Sequence, residues 1–302
     1  MVDTIWLPRL RLREAAPESG QGKTGLLSAP AAPNTRAEVP LANTSPPQHR
    51  GTDPARGALS AWVAPPHNLT LTVGEVHIWR VFLDQCAPGI QDLYQTLTPA
   101  ERVSVELFYF DADRQRAILR RGILRQILGR YLSLPPHRLQ FHRTEYGKPF
   151  LTANSGGQWL RFNLSHAGNL ALYAITRHRA VGVDVAHMRP EFLEGLPEQL
   201  FSLTEVSQLR SLPPLAQVQA FFRCWTRKEA FIKARGDGLA LPLDQFDVSL
   251  RPGEPARVVA TRWDPAEAAK WSLAEVEPGP EYAGAVCLRG SLLQLRCWQW
   301  AG

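Results

Sequence analysis

Residues 224–239 read CWTRKEAFIKARGDGL, and this stretch predicts the end of a long helix followed by a glycine-rich turn. Trp225, Glu229 and Lys233 follow one another at intervals of four residues, so they share one face of the helix. Lys228 lies beside that face. The helix therefore presents a carboxylate between lysines, one turn after a tryptophan.

The simplest interpretation of Glu229 and Lys233 is an ordinary surface ion pair. Such a pair stabilises a helix by only about 0.2–0.5 kcal/mol. The functional interpretation depends on the other motifs of the chain.

The composition sets broad limits on the protein class. A chain of 302 residues with 44% hydrophobic residues can hold two domains of ordinary size. Its formal net charge of +6 favours an anionic partner, which could be nucleic acid, an anionic cofactor or an acidic protein. The four cysteines lack C-x-x-C spacing, which predicts reduced thiols in a cytoplasmic protein. Neither a membrane-spanning apolar run nor a signal peptide is recognised, so no membrane association is expected.

The first seventy residues have a different composition from the rest. Proline, alanine, glycine, serine and threonine dominate there, which predicts a disordered extension over residues 1–70. Gly22-Lys23-Thr24 has the form of the end of a phosphate-binding loop. We reject that interpretation because Pro17 stands where the first glycine is needed and no strand precedes it.

The first half of the folded part begins with a predicted strand over 76–83. Thr98 and Glu101 form the pattern of a capping box at the start of a helix, and a second helix is predicted over 112–132. The second helix is interpreted as having a solvated basic face, from which one or two guanidinium groups could hold phosphate. Its arginines are Arg114, Arg116, Arg120, Arg121, Arg125 and Arg130.

Two turns and three strands are predicted next. Residues 145–150 (EYGKPF) form a turn that presents Lys148, and residues 162–166 (FNLSH) read as a strand that runs into a loop. Residues 170–175 and 180–186 are two apolar strands separated by a short polar turn, which predicts a hairpin.

Three polar residues of these strands are candidates for chemistry. Ser165 and His166 are a poor nucleophile and base for each other, because adjacent residues of a strand point in opposite directions. A structural role for His166, capping a loop, is the alternative. Asp184 lies within the apolar strand VGVDV, where a carboxylate needs a metal ion or another cation as its partner.

The second half repeats the pattern of the first. Ser202 and Glu205 form another capping box, and a long helix is predicted over 216–235. Strands are predicted over 246–250, 271–276, 283–288 and 292–298. Each half thus runs strand, helices, strands, which indicates a duplicated α+β unit without a convincing residue-level repeat.

Four motifs stand in a definite order along the chain. They are Gly147-Lys148-Pro149, Asn163-Leu164-Ser165-His166, Gly182-Val183-Asp184 and Trp225-x-x-Lys228-Glu229-Ala230-x-x-Lys233-x-x-Gly236-x-Gly238-Leu239. This order and spacing resembles the Sfp-type 4′-phosphopantetheinyl transferases. The resemblance covers about residues 74–290 and leaves the proline-rich N-terminus outside it.

The resemblance implies both a fold and an activity. Members of the family are α+β proteins with two similar halves related by a pseudo-twofold axis, and coenzyme A lies in the cleft between the halves. We therefore expect an N-terminal half over 71–180 and a C-terminal half over 181–302. The family transfers phosphopantetheine from coenzyme A to a serine of an apo carrier protein and releases 3′,5′-ADP, which is holo-[acyl-carrier-protein] synthase activity.

The catalytic residues implied by the resemblance are Glu229, Lys233 and His166. Attack on a pyrophosphate needs its negative charge neutralised. Asp184 and Glu229 are expected to bind Mg²⁺ for this purpose, and Glu229 also to take the proton of the attacking serine. Lys233 is expected to steady the transferring phosphate or the leaving group.

The same resemblance implies a set of coenzyme A contacts. Ser165 and His166 are expected at its phosphates and Lys148 at its nucleotide end. Arg116 is expected to replace the lysines that the family often places at the nucleotide 3′-phosphate. Lys228 and Lys233 complete the set.

Ala186 departs from the family pattern G-[IV]-D-x-E, which has a second acid two residues after the aspartate. Residues 184 and 186 of a strand face the same side, whereas His187 faces the other. Because Mg²⁺ commonly keeps several waters, we expect an active enzyme with an altered metal preference. The alternative is a catalytically weak paralogue that binds coenzyme A or carrier proteins.

The expected partners are coenzyme A and an acidic apo carrier protein, which the basic net charge suits. The sequence leaves open whether the carrier belongs to fatty acid, polyketide or peptide synthesis. A nucleic-acid partner rests on net charge alone and is rejected, since no recognition motif supports it. A monomer is expected, because both halves of the site lie in one chain.

Overall fold

The structure is a computed structural model, and it describes residues 61–301. Most of the predicted extension over residues 1–70, including Gly22-Lys23-Thr24, lies outside the described residues. All four cysteines lie within them as free thiols. Across residues 61–301, none of the helices combines the length and the apolar character that crossing a bilayer requires.

The first half of the described chain contains a small hairpin, three longer strands and three helices. Its elements are β1 (Glu75–Phe82), α1 (Ile90–Gln95), α2 (Pro99–Glu106), α3 (Asp111–Leu132), β2 (Phe141–Arg143), β3 (Pro149–Leu151), β4 (Leu160–Ala167) and β5 (Leu170–Arg177). The strand predicted over 76–83 and the helix predicted over 112–132 are confirmed. The capping box is confirmed too, because Thr98 and Glu101 bond to each other's backbone N–H groups.

The second half begins with another strand. Its elements are β6 (Val181–His187), α4 (Leu196–Leu200), α5 (Leu203–Arg210), α6 (Pro214–Arg235), β7 (Phe246–Val248), β8 (Val258–Thr261), β9 (Trp271–Val276), β10 (Tyr282–Arg289) and β11 (Gln294–Gln299). The capping box of Ser202 and Glu205 and the helix predicted over 216–235 are confirmed. The helix α6 ends at Gly236, whose φ of 87° is the left-handed conformation that glycine adopts without strain.

The structural similarity of the two halves lies in their two main sheets. The strand order is β11-β1-β5-β4 in the first sheet and β6-β10-β9 in the second. In the first half β1 pairs antiparallel with β5, and in the second half β6 pairs antiparallel with β10. The final strand, β11, joins the first sheet parallel to β1. An α+β fold with two similar halves is therefore confirmed. The boundary predicted at residues 180 and 181 lies in the turn between β5 and β6.

The hairpin predicted over 170–175 and 180–186 is wrong. β5 pairs with β1 and β4, whereas β6 pairs with β10 in the other sheet. The turn between them passes through His178, which has a φ of 59°, and carries the chain from one sheet to the next. The true hairpin is formed by β4 and β5. A sequence of two apolar strands around a polar turn does not distinguish the two cases.

Apolar packing forms three layers. One core lies between α3 and the first sheet, and another packs α6 against the second sheet. Between the sheets, Val76 and Ile78 of β1 share a third core with Val181, Val183 and Val185 of β6. Alternate residues of β1 and β6 therefore face the opposite sheet, and the remaining ones face the long helices.

Gly182 determines how closely β6 approaches α6. A Cβ atom at this position would lie 2.1 Å from the carbonyl oxygen of Ala230 and 2.3 Å from the amide nitrogen of Ala234. Both atoms belong to the helix backbone and cannot rotate away. Only glycine permits this contact, which brings the polar residues that follow on β6 within reach of α6.

We expect Gly182→Ala to lower the free energy of unfolding by at least about 1–3 kcal/mol, because the added methyl group overlaps main-chain atoms. Urea unfolding followed by circular dichroism measures the change. Gly89→Ala is the matched control, since a Cβ there meets nothing within 4 Å. Equal stability of the two variants would contradict the close approach.

Candidate active site

A hydrogen-bonded triangle joins the two halves at the buried face of α6. The Lys233 ammonium donates to Asp184 Oδ1 over 2.6 Å and to Ser165 Oγ over 3.0 Å. The Ser165 hydroxyl donates to the same carboxylate oxygen over 2.7 Å. Lys233 comes from α6, Asp184 from β6 and Ser165 from β4. Three of the predicted site residues are therefore in direct contact.

Glu229 lies one helical turn before Lys233 and is only 2% exposed. The surface-pair interpretation of Glu229 and Lys233 is therefore wrong, since Lys233 is only 4% exposed. Burial raises the pKa of the Glu229 carboxyl to about 8; the Lys233 charge acts against this rise and the Asp184 charge adds to it. Without a bound metal ion, the Glu229 carboxyl is therefore harder to ionise than that of an ordinary glutamate.

Two carboxylate oxygens of the site lack a hydrogen-bond partner. They are Asp184 Oδ2 and Glu229 Oε1, and both are shielded from solvent. Unpartnered buried carboxylate oxygens are costly, and a cation bound to both would satisfy them. Asp184 and Glu229 therefore fit the role of metal ligands.

The protein offers few side chains that could bind a metal ion at this site. Within residues 61–301, no group of three or more His, Cys, Asp or Glu side chains is arranged to hold a metal ion. Ala186 explains this result, because it occupies the next position on β6 that faces the same way as Asp184. The two carboxylates suit Mg²⁺, which binds through one or two carboxylates and keeps water in its other positions.

Ser165 also links β4 to β6. Its Oγ accepts from the backbone N–H of Val185 over 3.4 Å, and two residues earlier Asn163 Oδ1 accepts from Val183 over 2.8 Å. These side chains take the place of main-chain carbonyls between β4 and β6. Ser165 is 6% exposed and donates its proton to Asp184, and its contact with a phosphate stays a prediction.

Asn163 contacts the strand that carries Asp184, and the sequence reasoning did not single it out. It fixes the register of β6 beside Asp184 through the Val183 N–H group. The signal that could have identified it is its spacing from Ser165. Residues two apart on a strand face the same side, so the side chains of Asn163 and Ser165 were bound to contact the same neighbouring element.

His166 follows Ser165 on β4 and is half-buried on the other face of the strand. Arg116, at the start of α3, donates from Nε to Asn169 Oδ1 over 3.0 Å in the turn that follows β4. The structure thus brings Arg116 and His166 to the same end of β4. Their contacts with coenzyme A stay predictions.

The solvated basic face predicted for α3 is only partly correct. Arg120 and Arg125 are buried, and Arg125 is 1% exposed. Arg114 and Arg116 are partly exposed and pair with nearby aspartates, Asp111 and Asp113. The arginines of α3 therefore divide into buried structural groups and accessible ones.

The ammonium group of Lys148 donates hydrogen bonds to main-chain carbonyl groups. Its Nζ donates to the carbonyl oxygen of Val181 over 2.9 Å and to that of Lys233 over 2.5 Å. Burial lowers the pKa of Lys148 to about 8. The side chain thus caps the last turn of α6. The contact of this ammonium with the nucleotide end of coenzyme A stays a prediction.

Lys228 is fully buried. Its ammonium forms an ion pair with Glu205 over 2.7 Å and donates to the carbonyl oxygens of Leu243 and Phe246 over 2.6 and 2.5 Å. An ammonium group has three N–H donors, so none is left for a ligand. The predicted contact of Lys228 with coenzyme A is therefore incompatible with this structure.

Comparison with known proteins identifies the family of the chain. The family model described as 4′-phosphopantetheinyl transferase superfamily matches residues 180–287. The model described as 4′-phosphopantetheinyl transferase, N-terminal, matches residues 86–178. The two matches together span most of the described residues.

Individual relatives carry the same name. The chain is 41% identical over 240 residues to the 4′-phosphopantetheinyl transferase HetI of Nostoc sp., covering 79% of this chain and 98% of HetI. It is 32% identical over 192 residues to Sfp of Bacillus subtilis, covering 63% of this chain and 81% of Sfp. It also matches the solved ACPS-CoA complex of Chronobacterium ammoniagenes with 23% identity and a TM-score of 0.29, over 37% of this chain and 96% of that one. The family matches and the likeness to HetI show that this chain belongs to the 4′-phosphopantetheinyl transferase superfamily.

Proposed function

We propose that this protein transfers the 4′-phosphopantetheine group of coenzyme A to a serine hydroxyl of an apo carrier protein, and that it is a holo-[acyl-carrier-protein] synthase of the Sfp type. The observation that carries the proposal is the pair of unpartnered buried carboxylate oxygens on Asp184 and Glu229, beside the Lys233 ammonium. Anionic oxygen atoms and a cation in one buried site suit chemistry at a pyrophosphate. Membership of the transferase superfamily supports it.

The reaction forms one bond and breaks another at a single phosphorus atom. The carrier serine oxygen attacks the phosphorus that bears the pantetheine arm. The bond from that phosphorus to the bridging oxygen of the pyrophosphate breaks, and 3′,5′-ADP leaves. The serine proton passes to a base, for which Glu229 is the candidate.

Glu229 is the candidate base because it is a buried carboxyl one helical turn before Lys233, and burial raises its pKa when no metal is bound. A bound Mg²⁺ would lower that pKa again. A base with a pKa near the working pH accepts a proton more readily than an ordinary carboxylate does. When Mg²⁺ is bound, it neutralises the charge of the pyrophosphate. Asp184 and Glu229 are the residues that would hold it.

Lys233 contributes a fixed positive charge. Its ammonium is held by Asp184 and Ser165, so it needs no reorganisation when negative charge develops on the leaving group. His166 and Arg116 lie at the end of β4 and would bind phosphate groups of coenzyme A. The acceptor class, fatty acid, polyketide or peptide synthetase carrier, is an experimental question.

We further propose that the enzyme acts as a monomer, since the triangle takes all its members from one chain. We propose a cytoplasmic location, since the four cysteines are free thiols. The formal net charge of +6 suits an acidic carrier protein as the partner.

Incubation of the protein with coenzyme A, Mg²⁺ and an apo carrier protein tests the proposed transfer. We expect the carrier to gain the mass of one phosphopantetheine arm, and Glu229→Ala to abolish the gain because the base and a metal ligand are lost. Intact-mass spectrometry measures both. Glu145→Ala, at an exposed site, is the control that should stay active. Binding of coenzyme A without modification of any of several unrelated carriers would favour the catalytically weak paralogue instead.

Removal of the Glu229 charge should also stabilise the protein without Mg²⁺. The folded pKa of about 8 lies above the unfolded value of about 4.3, so deprotonation of Glu229 costs stability increasingly as pH rises through this window. We expect Glu229→Gln to raise Tm at pH 8 by more than the roughly 2–4 °C that 1 kcal/mol gives a domain of this size, and to have little effect at pH 4. Calorimetry in a chelating buffer measures this, with Glu145→Gln as control. A lower Tm at pH 8 would contradict the pKa assignment.

Ala186→Glu tests whether two protein carboxylates limit the affinity for metal. The new carboxylate faces the same side of β6 as Asp184, so we expect a several-fold lower Mg²⁺ concentration for half-maximal transfer. His187→Glu places the same charge on the opposite face and should leave that concentration unchanged. An equal effect of both substitutions would show a general charge effect rather than a ligand.

A further inference from the structure

The capping-box glutamate of each half binds a buried cation of the following long helix. In the first half Glu101 caps α2 and accepts from Arg125 Nη2 of α3 over 2.7 Å. In the second half Glu205 caps α5 and accepts from Lys228 Nζ of α6 over 2.7 Å. The same three-part connection is therefore present twice.

The two cations occupy equivalent positions. Both α3 and α6 have 22 residues, and Arg125 and Lys228 are each the fifteenth. Each cation also lies over the ring of the residue that opens the next hairpin, with Arg125 4.9 Å from the centre of Phe141 and Lys228 4.2 Å from that of Phe246. We name the glutamate, the cation and this ring the cation clamp of each half.

Main-chain contacts complete each clamp. Arg125 donates to two carbonyl oxygens of the segment after α3, at Pro136 and Leu139, both over 2.9 Å. Lys228 donates in the same way to two carbonyl oxygens after α6, at Leu243 and Phe246. Each clamp thus ties a long helix to the helix before it and to the hairpin after it.

The halves differ in the residue that follows the cation. Gln126 follows Arg125, whereas Glu229 follows Lys228. Neighbouring residues of an α-helix point about 100° apart, so a contact that fixes the direction of Lys228 also fixes that of Glu229. A rotation of α6 by about 20° would move a side-chain end about 5–6 Å from the axis by about 2 Å.

We infer that Lys228 and Glu205 are positioning residues that fix the rotation of α6, so that Glu229 and Lys233 face Asp184. The Arg125 clamp is the equivalent device in a half without these groups, and it leaves the transfer step unaffected. The inference rests on the proposed transferase function. It explains why a lysine adjacent to the site has no donor free for a ligand.

Matched substitutions in the two clamps test the inference. We expect Lys228→Met to lower kcat by about 10–100-fold with little change in the KM for coenzyme A, because misplacement by about 1 Å already costs on the order of 100-fold. Arg125→Met should lower Tm to a similar extent and leave kcat within about twofold of wild type, since the clamp in the first half has no catalytic neighbour. Lys228→Arg retains the charge and donors of the equivalent clamp and should recover most of the lost kcat. Steady-state kinetics with an apo carrier protein and thermal unfolding provide these values.

A second matched pair applies if a methionine variant does not fold. Glu205→Gln and Glu101→Gln keep the side-chain size and remove one charge from each clamp. Only Glu205→Gln should lower kcat. Similar kcat losses in both halves, or an unchanged kcat in the variants at 228 and 205, would overturn the positioning role. An inactive wild-type protein would refute the proposed function itself, whereas an active wild type with unaffected clamp variants refutes only this inference.

Discussion

The ion pair between Lys233 and Asp184 is the interaction on which the site depends. Both groups are buried, and either of them alone would cost several kcal/mol in an apolar interior. Each therefore requires the other, and Ser165 Oγ forms hydrogen bonds with both of them. Because the three residues come from α6, β6 and β4, one electrostatic requirement fixes three elements from both halves.

The meeting of β4 and β6 follows from the same requirement. The two strands belong to different sheets, and side chains rather than main-chain carbonyls connect them. Asn163 and Ser165 supply oxygen atoms that receive N–H groups of β6, so the sheets meet without merging into one main-chain ladder. On the other side of β6, Gly182 admits the α6 backbone. Asp184 is consequently held between a strand of the first half and a helix of the second.

Local sequence signals predicted the elements well. Both capping boxes, both long helices and the glycine end of α6 were predictable because each depends on residues within one or two turns. The four motifs also indicated Asp184, Glu229, Lys233 and Ser165 as members of one site. The contact among Ser165, Asp184 and Lys233 agrees with that prediction.

The hydrogen-bond partners of Lys228 and Lys148 were not predictable from the neighbouring sequence. Lys228 pairs with a glutamate 23 residues earlier, and Lys148 donates to carbonyl groups 33 and 85 residues later. A motif shows that a lysine is present beside a site, but only tertiary packing determines whether its ammonium faces a ligand or the core. The false hairpin has a similar cause, because strand pairing between β6 and β10 depends on distant sequence.

The two halves share a framework, but the residues at equivalent positions differ, so the sequence shows no residue-level repeat. Arg130 and Lys233 are each the twentieth residue of their helix, yet Arg130 lies over the ring of Trp79 of β1, whereas Lys233 binds Asp184 of β6. Equivalent positions thus retain a cation and exchange an aromatic partner for a carboxylate. What the two halves share is the kind of interaction at each position rather than the residue. The first half uses that framework for packing, and the second half places on it the groups proposed to act on a pyrophosphate.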